Sequence, residues 1–467
     1  MVNQLPAGEI ARAVGSSIDS AYRQTVPSGY SIDSRTLQVG DCFVAIQGPR
    51  FDGHQFISEA VRKGASLLIV SREEACRSVP GTPWIRVEDT LTALQQLAGW
   101  VRRRWGKPLV GITGSVGKTT AKEIAAHLLA GPFKVFRNHR NFNNDYGLPL
   151  SLLQLESDHQ IAVMELGMSA PGEIARLSRI ARPDLGVVTN VKPVHLEFFP
   201  SVGGIAKAKR ELIENLPPSG VALLNNDDAR VRKFSRSFSG EVVTFGIERP
   251  AAFHVDRIWD RGLGGCEFTV RHRGRSHRLT SPLLGAHNVS NCLPGIALAH
   301  RMEMSFPDIA ARLLSLKPGQ GRGQPLFFEQ GICVVDDSYN SNPAALMTMM
   351  RLLKGIPGYG RKILVAGEMM ELGADAPRFH QVCGKAAAGW DFDLILGVRG
   401  LADRVVASAR ALGYDPSRSV FFEDAAEAGE WLAPRILPGD LILVKGSRGV
   451  RTEGVIQRLK EDFALSA

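Results

Sequence analysis

Short apolar runs rich in Val, Ile and Leu alternate along the chain with longer stretches in which apolar residues recur at helical spacing. The runs fit strands buried on both faces and the longer stretches fit amphipathic helices; their regular alternation predicts a largely parallel α/β sheet. Residues 1–106 mix the strands CFVAI, SLLIV and WIRV with an amphipathic helix near 90–104, closing at Gly106-Lys107-Pro108. From 107 to 317 the strands LVGIT, IAVMEL, LGVVTNV and VALLNN each precede a helical stretch. VVTFG, CEFTV and helices near 288–302 and 306–315 follow. LKPGQGRGQP, residues 316–325, reads as a Gly/Pro-rich linker. Beyond it GICVVDD, KILVAGE, DLILGV, SVFF and DLILVKG, with helices between, predict a second doubly wound unit.

The first central strand leads into VGITGSVGKTTAKEIAAHLL, residues 110–129. Gly111, Gly114 and Gly117 allow a sharp turn that brings backbone N–H groups close to an anion, and the following helix aims its positive dipole end at the same spot. Lys118 can reach outer phosphates and the Thr119 hydroxyl can face a magnesium ion, with Ser115 and Thr120 in the same turn. This is a P-loop, although its usual first glycine position holds Ile112 and Gly111 comes one residue earlier. The expected class is therefore α/β with three domains: a small N-terminal α/β domain (1–106), a central P-loop ATPase domain with a mostly parallel sheet (107–317), and a C-terminal Rossmann-like doubly wound domain (318–467).

Other polar residues fall where a parallel sheet displays its functional groups. Glu165 ends the strand of MELG, where a carboxylate suits magnesium, and His195 follows the strand LGVVTNV on the same rim. Composition alone makes Lys209, within GIAKAKRELIENL, a solvated lysine. GAHNVSN offers His287, Asn288 as a helix cap, and Asn291 one turn on. DDSYNSNP, residues 336–343, places Asp337, Tyr339 and Asn340 after a strand, with Pro343 set to start a helix. The third domain has no P-loop of its own, so the expectation is that it closes over the nucleotide and that the active site lies between domains.

The chain has 467 residues, 44% hydrophobic and 22% charged, which excludes disorder and is too long for one core. Its formal charge of +9 suits nucleic acid, a membrane surface or polyanionic small molecules. The densest basic clusters, VRRRW at 101–105 and VRHRGRSHRL at 270–279, lack the interleaved aromatics of a strand-binding platform. They read as a solvated helix end and a hairpin turn, so anionic small molecules are favoured over nucleic acid. The N-terminus has no signal-peptide pattern and no apolar stretch is long enough to span a bilayer, which predicts a cytoplasmic protein without membrane insertion. The six cysteines lie mostly in apolar segments without a C-x-x-C pair, as expected of reduced core residues.

GITGSVGKTT, MELGMSAPGEI, NVKPVHLE, AKAKRE, GAHNVSN, DDSYNSNP and LVKGSRGVR stand in the order and approximate spacing of the Mur ligases. On these motifs the whole chain resembles that family. DDSYNSNP, SIDSRTLQVGDCFVAIQGPRFDGHQF and NFNNDYGLPL resemble its member acting last, and the D-N-P-R motif of the sister that adds diaminopimelate is absent. The resemblance implies an ADP-forming ligase that joins D-alanyl-D-alanine to UDP-N-acetylmuramoyl-tripeptide in peptidoglycan precursor synthesis, acting as a monomer with ATP and Mg2+. Alternatives are a sister ligase adding a single amino acid, a folate-type ligase, and a catalytically inactive ATP-gated binding protein.

The resemblance also implies roles. Lys118, Glu165, His195 and Lys209 would be catalytic. Thr119, Glu165, His195 and a carbamylated Lys209 would hold metal. Gly114, Ser115, Gly117, Lys118, Thr119, Thr120, Asn288, Asn291, Arg322 and Asp337 would bind ATP. Ser34, Arg35, Arg50, Asp52 and His54 fall in segments implied to hold the UDP-sugar, and Asn143 and Asn144 in the loop facing the muramoyl peptide. Tyr339, Asn340, Lys445, Ser447 and Arg448 would lie near the reaction centre in the C-terminal domain. The Lys209 role reverses the reading from composition.

Overall fold

The structure, a computed structural model, describes residues 2–48, 51–139, 141–194 and 197–466. The chain divides into two compact units, Met1–Val191 with Ala206–Thr244, and Lys192–Ile205 with Phe245–Ala467. No described helix is long and apolar enough to cross a membrane.

The first unit holds two parallel arrays. Strands β1 (Tyr30–Ser31), β2 (Cys42–Val44), β3 (Leu67–Val70) and β4 (Trp84–Arg86) form a four-stranded sheet in that order. The helix Thr90–Trp105 follows β4. Asp89 starts it by accepting from the Thr92 N–H at 2.7 Å, and Gly106 ends it in the left-handed conformation at φ 65°. The second array comprises β5 (Leu109–Thr113), β6 (Val135–Arg137), β7 (Ile161–Glu165), β8 (Leu185–Val188) and β9 (Val221–Asn225). Their order is β9-β8-β5-β7-β6, and the pairs β8–β9, β5–β8, β5–β7 and β6–β7 are parallel. Every residue of β5, β7, β8 and β9 is buried. Helices cover both faces of such a sheet, which is why these segments read as unbroken apolar runs.

Strand β10 (Glu241–Gly246) runs across the division of the chain, and its Phe245 and Gly246 pair in parallel with the start of β11 (Phe253–Asp260). In the second unit β11, β12 (Cys266–His272) and β13 (Arg275–Ser281) are antiparallel neighbours. The β12–β13 hairpin turns at Arg273 and Gly274, whose φ values are 47° and 75°. A six-stranded sheet is built from β14 (Gln324–Phe327), β15 (Cys333–Asp337), β16 (Arg361–Gly367), β17 (Leu394–Val398), β18 (Ser419–Phe422) and β19 (Asp440–Lys445). Its order is β14-β15-β19-β16-β17-β18, parallel apart from β14. Leu346, Met350 and Leu353 belong to the core on one side of this sheet, and Val455, Ile456 and Leu459 to the core on the other. The sheet is thus doubly wound, and Asp337, Gly367 and Lys445 end adjacent strands at one rim.

Three local expectations change. VRRRW is not simply a solvated helix end: Arg102 is buried and donates to the carbonyls of Ala181 and Arg182 at 2.7 and 3.0 Å and to Asp184 at 3.0 Å. The helix Glu173–Ala181 ends there, and its last carbonyls need donors. Asn288 is not a cap, because the helix Ala286–Arg301 starts earlier, after Gly285. The linker is shorter than its composition suggests, since Gln324 and Pro325 already pair with β15. The cysteines are all free and buried, as expected.

Candidate active site

The loop between β5 and the helix Lys118–Leu129 is held from β8. Asn190 accepts from the Ser115 N–H through its carbonyl at 2.9 Å and from the Val116 N–H through Oδ1 at 3.0 Å. Asn190 Nδ2 and the Thr189 hydroxyl both donate to the Val116 carbonyl, at 2.9 and 2.8 Å. Gly114 makes this closeness possible: a Cβ there would stand 1.9 Å from Thr189 Oγ1. Gly117, at φ 83°, turns the chain into the helix, whose first N–H groups have no intrahelical acceptor and can face an anion. Lys118 folds over this turn, with Nζ 3.3 Å from the Ser115 carbonyl.

Glu165, the last residue of β7, is 2% exposed. Its carboxylate accepts from Thr119 Oγ1 and from Asn143 Nδ2, each at 2.7 Å. Lys209, on the helix Val202–Glu214, is 1% exposed and donates to the Gly114 carbonyl at 2.8 Å. Burial pushes its pKa well below that of an ordinary lysine; the nearby Lys118 cation adds to this and Glu165 opposes it. The structure thus brings Gly114, Lys118, Thr119, Asn143, Glu165 and Lys209 together around one loop. A buried carboxylate, a hydroxyl and a deprotonatable amine stand beside a phosphate-sized turn. Asn144 accepts through its side chain from the Gly147 N–H at 2.9 Å, at the start of the helix Gly147–Leu152, whose N-cap position is Tyr146. His195 and Arg50 lie outside the described residues.

In the small N-terminal sheet, Ser34 Oγ donates to Glu59 at 3.0 Å, and Arg35 grips Asp33 through Nε and Nη2 at 2.9 and 2.7 Å. Asp52 accepts from His54 Nδ1 at 2.7 Å and pairs with Arg72, while His54 Nε2 accepts from the Ser71 N–H at 3.0 Å. These two bonds fit a neutral imidazole, and burial lowers the His54 pKa in the same sense.

In the second unit, Asn291 Nδ2 donates to Asn288 Oδ1 at 2.9 Å, and Asn288 Nδ2 to the Leu284 carbonyl at 2.9 Å. Lys445 pairs with Asp337 at 2.6 Å and donates to the Asn340 carbonyl at 2.9 Å. Arg322 stacks over the Tyr339 ring at 4.1 Å, and Arg448 lies 6.0 Å from the same ring. Ser447 Oγ accepts from the Met370 N–H at 2.9 Å. The strand rim therefore gathers Asp337, Tyr339, Asn340, Lys445 and Arg448, with Arg322 packed on Tyr339.

Sequence reasoning missed Lys122, Asn138, Thr189 and Asn190. Asn138, Thr189 and Asn190 follow strand patterns, and a polar residue just past a buried strand was the available signal. Lys122 gives none, because a lysine on an amphipathic helix looks solvated. Among the described residues, Glu156, Asp158 and His159 have metal-like spacing. Lys134 already pairs with Glu156 at 3.2 Å and also with Asp158, so a cation occupies that exposed group.

Three family descriptions match successive parts of the chain: the Mur ligase family catalytic domain over residues 27–100, the Mur ligase middle domain over 112–299, and the Mur ligase glutamate ligase domain over 321–448. The UDP-N-acetylmuramoyl-tripeptide–D-alanyl-D-alanine ligase of Bacillus subtilis is 33% identical over 451 residues, 96% of each chain. A crystal structure of MurF from Acinetobacter baumannii superposes with a TM-score of 0.89 at 29% identity, covering 98% of this chain and 99% of that one. MurF ligase from Thermotoga maritima in complex with ADP gives 0.81 at 30% identity, covering 93% and 97%.

Proposed function

The chain belongs to the Mur ligase family, and from that premise we propose how its own residues perform the ligation. The protein is an ATP-dependent, ADP-forming ligase that joins D-alanyl-D-alanine to UDP-N-acetylmuramoyl-tripeptide, giving the pentapeptide, ADP and phosphate. A carboxylate is a poor electrophile. Transfer of the γ-phosphoryl group to the terminal carboxylate of the tripeptide removes its charge and supplies a leaving group. The dipeptide amine then attacks the acyl carbon, and the tetrahedral adduct collapses to amide and phosphate. Holding two anions side by side is the main electrostatic demand.

Lys118, the N–H groups of Gly114 and of Gly117 to Thr120, and the Ser115 hydroxyl bind the ATP phosphates, while the Ser115 and Val116 N–H groups already donate to Asn190. Thr119 and Glu165 are hard oxygen donors of the kind Mg2+ takes, and so fit a metal held against those phosphates. His195 would add a nitrogen donor to this set, as the family resemblance implies. The ion would supply charge neutralisation at the transferred phosphoryl group. Lys209 carries no oxygen as it stands. Its buried amine, kept neutral at pH values where a solvated lysine is a cation, can form an N–C bond to CO2 and lose a proton, which turns it into a carboxylate-like ligand. Asn288 and Asn291 serve the adenine, Arg322 and Asp337 the nucleotide, and Tyr339, Asn340, Lys445, Ser447 and Arg448 the incoming dipeptide and the reaction centre. Ser34, Arg35, Arg50, Asp52 and His54 hold the UDP-sugar, and Asn143 and Asn144 the muramoyl peptide. In domain terms, 1–106 binds the UDP-sugar, 107–317 binds ATP, and 318–467 closes over ATP and takes the dipeptide.

The observation that carries this reading is the buried Glu165 carboxylate shared by Thr119 of the P-loop and Asn143, with Lys209 on the carbonyl of Gly114. The test supplies ATP, Mg2+ and UDP-N-acetylmuramoyl-tripeptide and follows phosphate release with and without D-alanyl-D-alanine. Release that needs both acceptor and dipeptide supports the reading. Equal release with neither overturns it.

A further inference from the structure

Glu165 is the last residue of β7; toward β5 it is still paired with Ile112, and the next N–H, of Leu166, donates to the Ile112 carbonyl at 2.9 Å, so only its other edge lacks a strand partner. The neighbouring β6 stops at Arg137, paired with Val163. Past that point one side chain takes over from the ladder. Asn138, 0% exposed, accepts from the Glu165 N–H through Oδ1 at 2.9 Å and donates to the Glu165 carbonyl through Nδ2 at 3.0 Å. Its carboxamide thus copies a backbone neighbour on both polar groups of Glu165. Nδ2 donates again, to the Phe142 carbonyl at 2.7 Å, next to the Asn143 that holds the Glu165 carboxylate. Behind it, Lys122 on the P-loop helix is 0% exposed and gives its Nζ to the Asn138 carbonyl at 2.7 Å, with Glu123 at 3.0 Å. Burying a lysine to hold a backbone carbonyl is costly unless it is paired in this way.

We propose that Asn138 is a positioning residue: supported by Lys122, its carboxamide sets the Glu165 backbone and the Asn143 loop together, and so aims the Glu165 carboxylate at the P-loop cation. The inference rests on the role given to Glu165 above. An isolated amide satisfied at both ends in a buried setting is a stiff element, and loss of such outer-sphere support typically lowers metal affinity by about tenfold to a hundredfold.

The test uses the full-length chain with Asn138→Ala, Asn138→Asp and Glu165→Gln. Calorimetry measures ADP binding without metal and Mg2+ binding to the ADP complex, and hydrogen exchange follows the Glu165 amide. Asn138→Ala is expected to unfold cooperatively, to bind metal-free ADP within about twofold of the parent, and to weaken Mg2+ binding on the order of tenfold or more while the Glu165 amide exchanges faster. If Asn138→Ala does not fold, Asn138→Asp serves: it keeps the oxygen that accepts from Glu165 N–H, loses both donors, and should shift Mg2+ binding in the same direction. Unchanged Mg2+ affinity in a folded Asn138 variant, with Glu165→Gln weakened, overturns the role of Asn138 alone. Unchanged affinity in Glu165→Gln overturns the role of Glu165 and the inference with it.

Discussion

Replacing Lys209 by Met separates what this residue does for the fold from what it does for the reaction. The swap keeps a long, unbranched side chain in a site that is 1% exposed and removes only the amine. Structurally it forfeits the hydrogen bond from Nζ to the Gly114 carbonyl at 2.8 Å and a weak one to Met168 Sδ at 3.9 Å. A buried carbonyl left without its donor costs about 1–3 kcal/mol, and relief from burying an amine offsets part of that. Stability should therefore fall by no more than about 2 kcal/mol, read as a urea midpoint. The chemistry should suffer more. A carbamate at Lys209 would contribute two oxygens sharing one negative charge, and loss of one charge-assisted contact of about 1.5–3 kcal/mol corresponds to at least roughly tenfold to a hundredfold in turnover. The assay is phosphate release dependent on tripeptide and dipeptide. CO2-depleted buffer should slow the parent enzyme reversibly, and short carboxylic acids should partly restore a Lys209→Ala variant. A folded Lys209→Met enzyme retaining more than about a tenth of parental turnover would falsify the carbamate argument, because a loss under 1.4 kcal/mol is too small for a lost anionic ligand.

Gly114→Ala should disrupt the P-loop, since the new Cβ meets Thr189 Oγ1 at 1.9 Å and the residue sits at φ 152°; a cost on the order of 2–4 kcal/mol and loss of ADP binding are expected, partly relieved by Thr189→Ala. Normal ADP affinity in the single variant would contradict the loop geometry. Asp337→Ala leaves Lys445, 3% exposed, without its carboxylate and should destabilise the protein by about 3–5 kcal/mol, whereas Asp337→Leu with Lys445→Met should regain most of this in denaturant melts. The pH dependence has a definite sign. His380 is buried, its Nδ1 donates to the Ala376 carbonyl at 2.7 Å, its Nε2 accepts from the Met369 N–H at 2.9 Å, and burial lowers its pKa. The unfolded chain takes the proton first, so stability is full above the unfolded value of about 6.5 and falls below it, by up to ~1.4 kcal/mol per pH unit for this group. Urea midpoints at pH 7.5 and 5.5 should show the fall, and a smaller one in His380→Gln; equal slopes in the two proteins would refute the assignment.

The sequence by itself determined the alternation of buried strands and amphipathic helices, the P-loop, and the strand-end positions of Glu165 and Asp337. Each follows from local periodicity or from residues close together in the chain. Apolar periodicity also placed DDSYNSNP after a strand, whereas only the family resemblance implied that LVKGSRGVR lies near it; β15 and β19, which lead into the two motifs, are neighbours. Tertiary structure decided what local pattern cannot express. Lys209 and Arg102 look solvated on amphipathic helices, and only the packing of distant segments turns one into a buried amine on Gly114 and the other into a donor to the end of the helix Glu173–Ala181. Asn138 was invisible for the same reason: its partners Lys122, Phe142 and Glu165 are assembled by the parallel pairing of β6 with β7 and by the P-loop helix. Burial and hydrogen-bond partnership are properties of three-dimensional neighbours, so a chain can announce its phosphate loop while concealing what stiffens it.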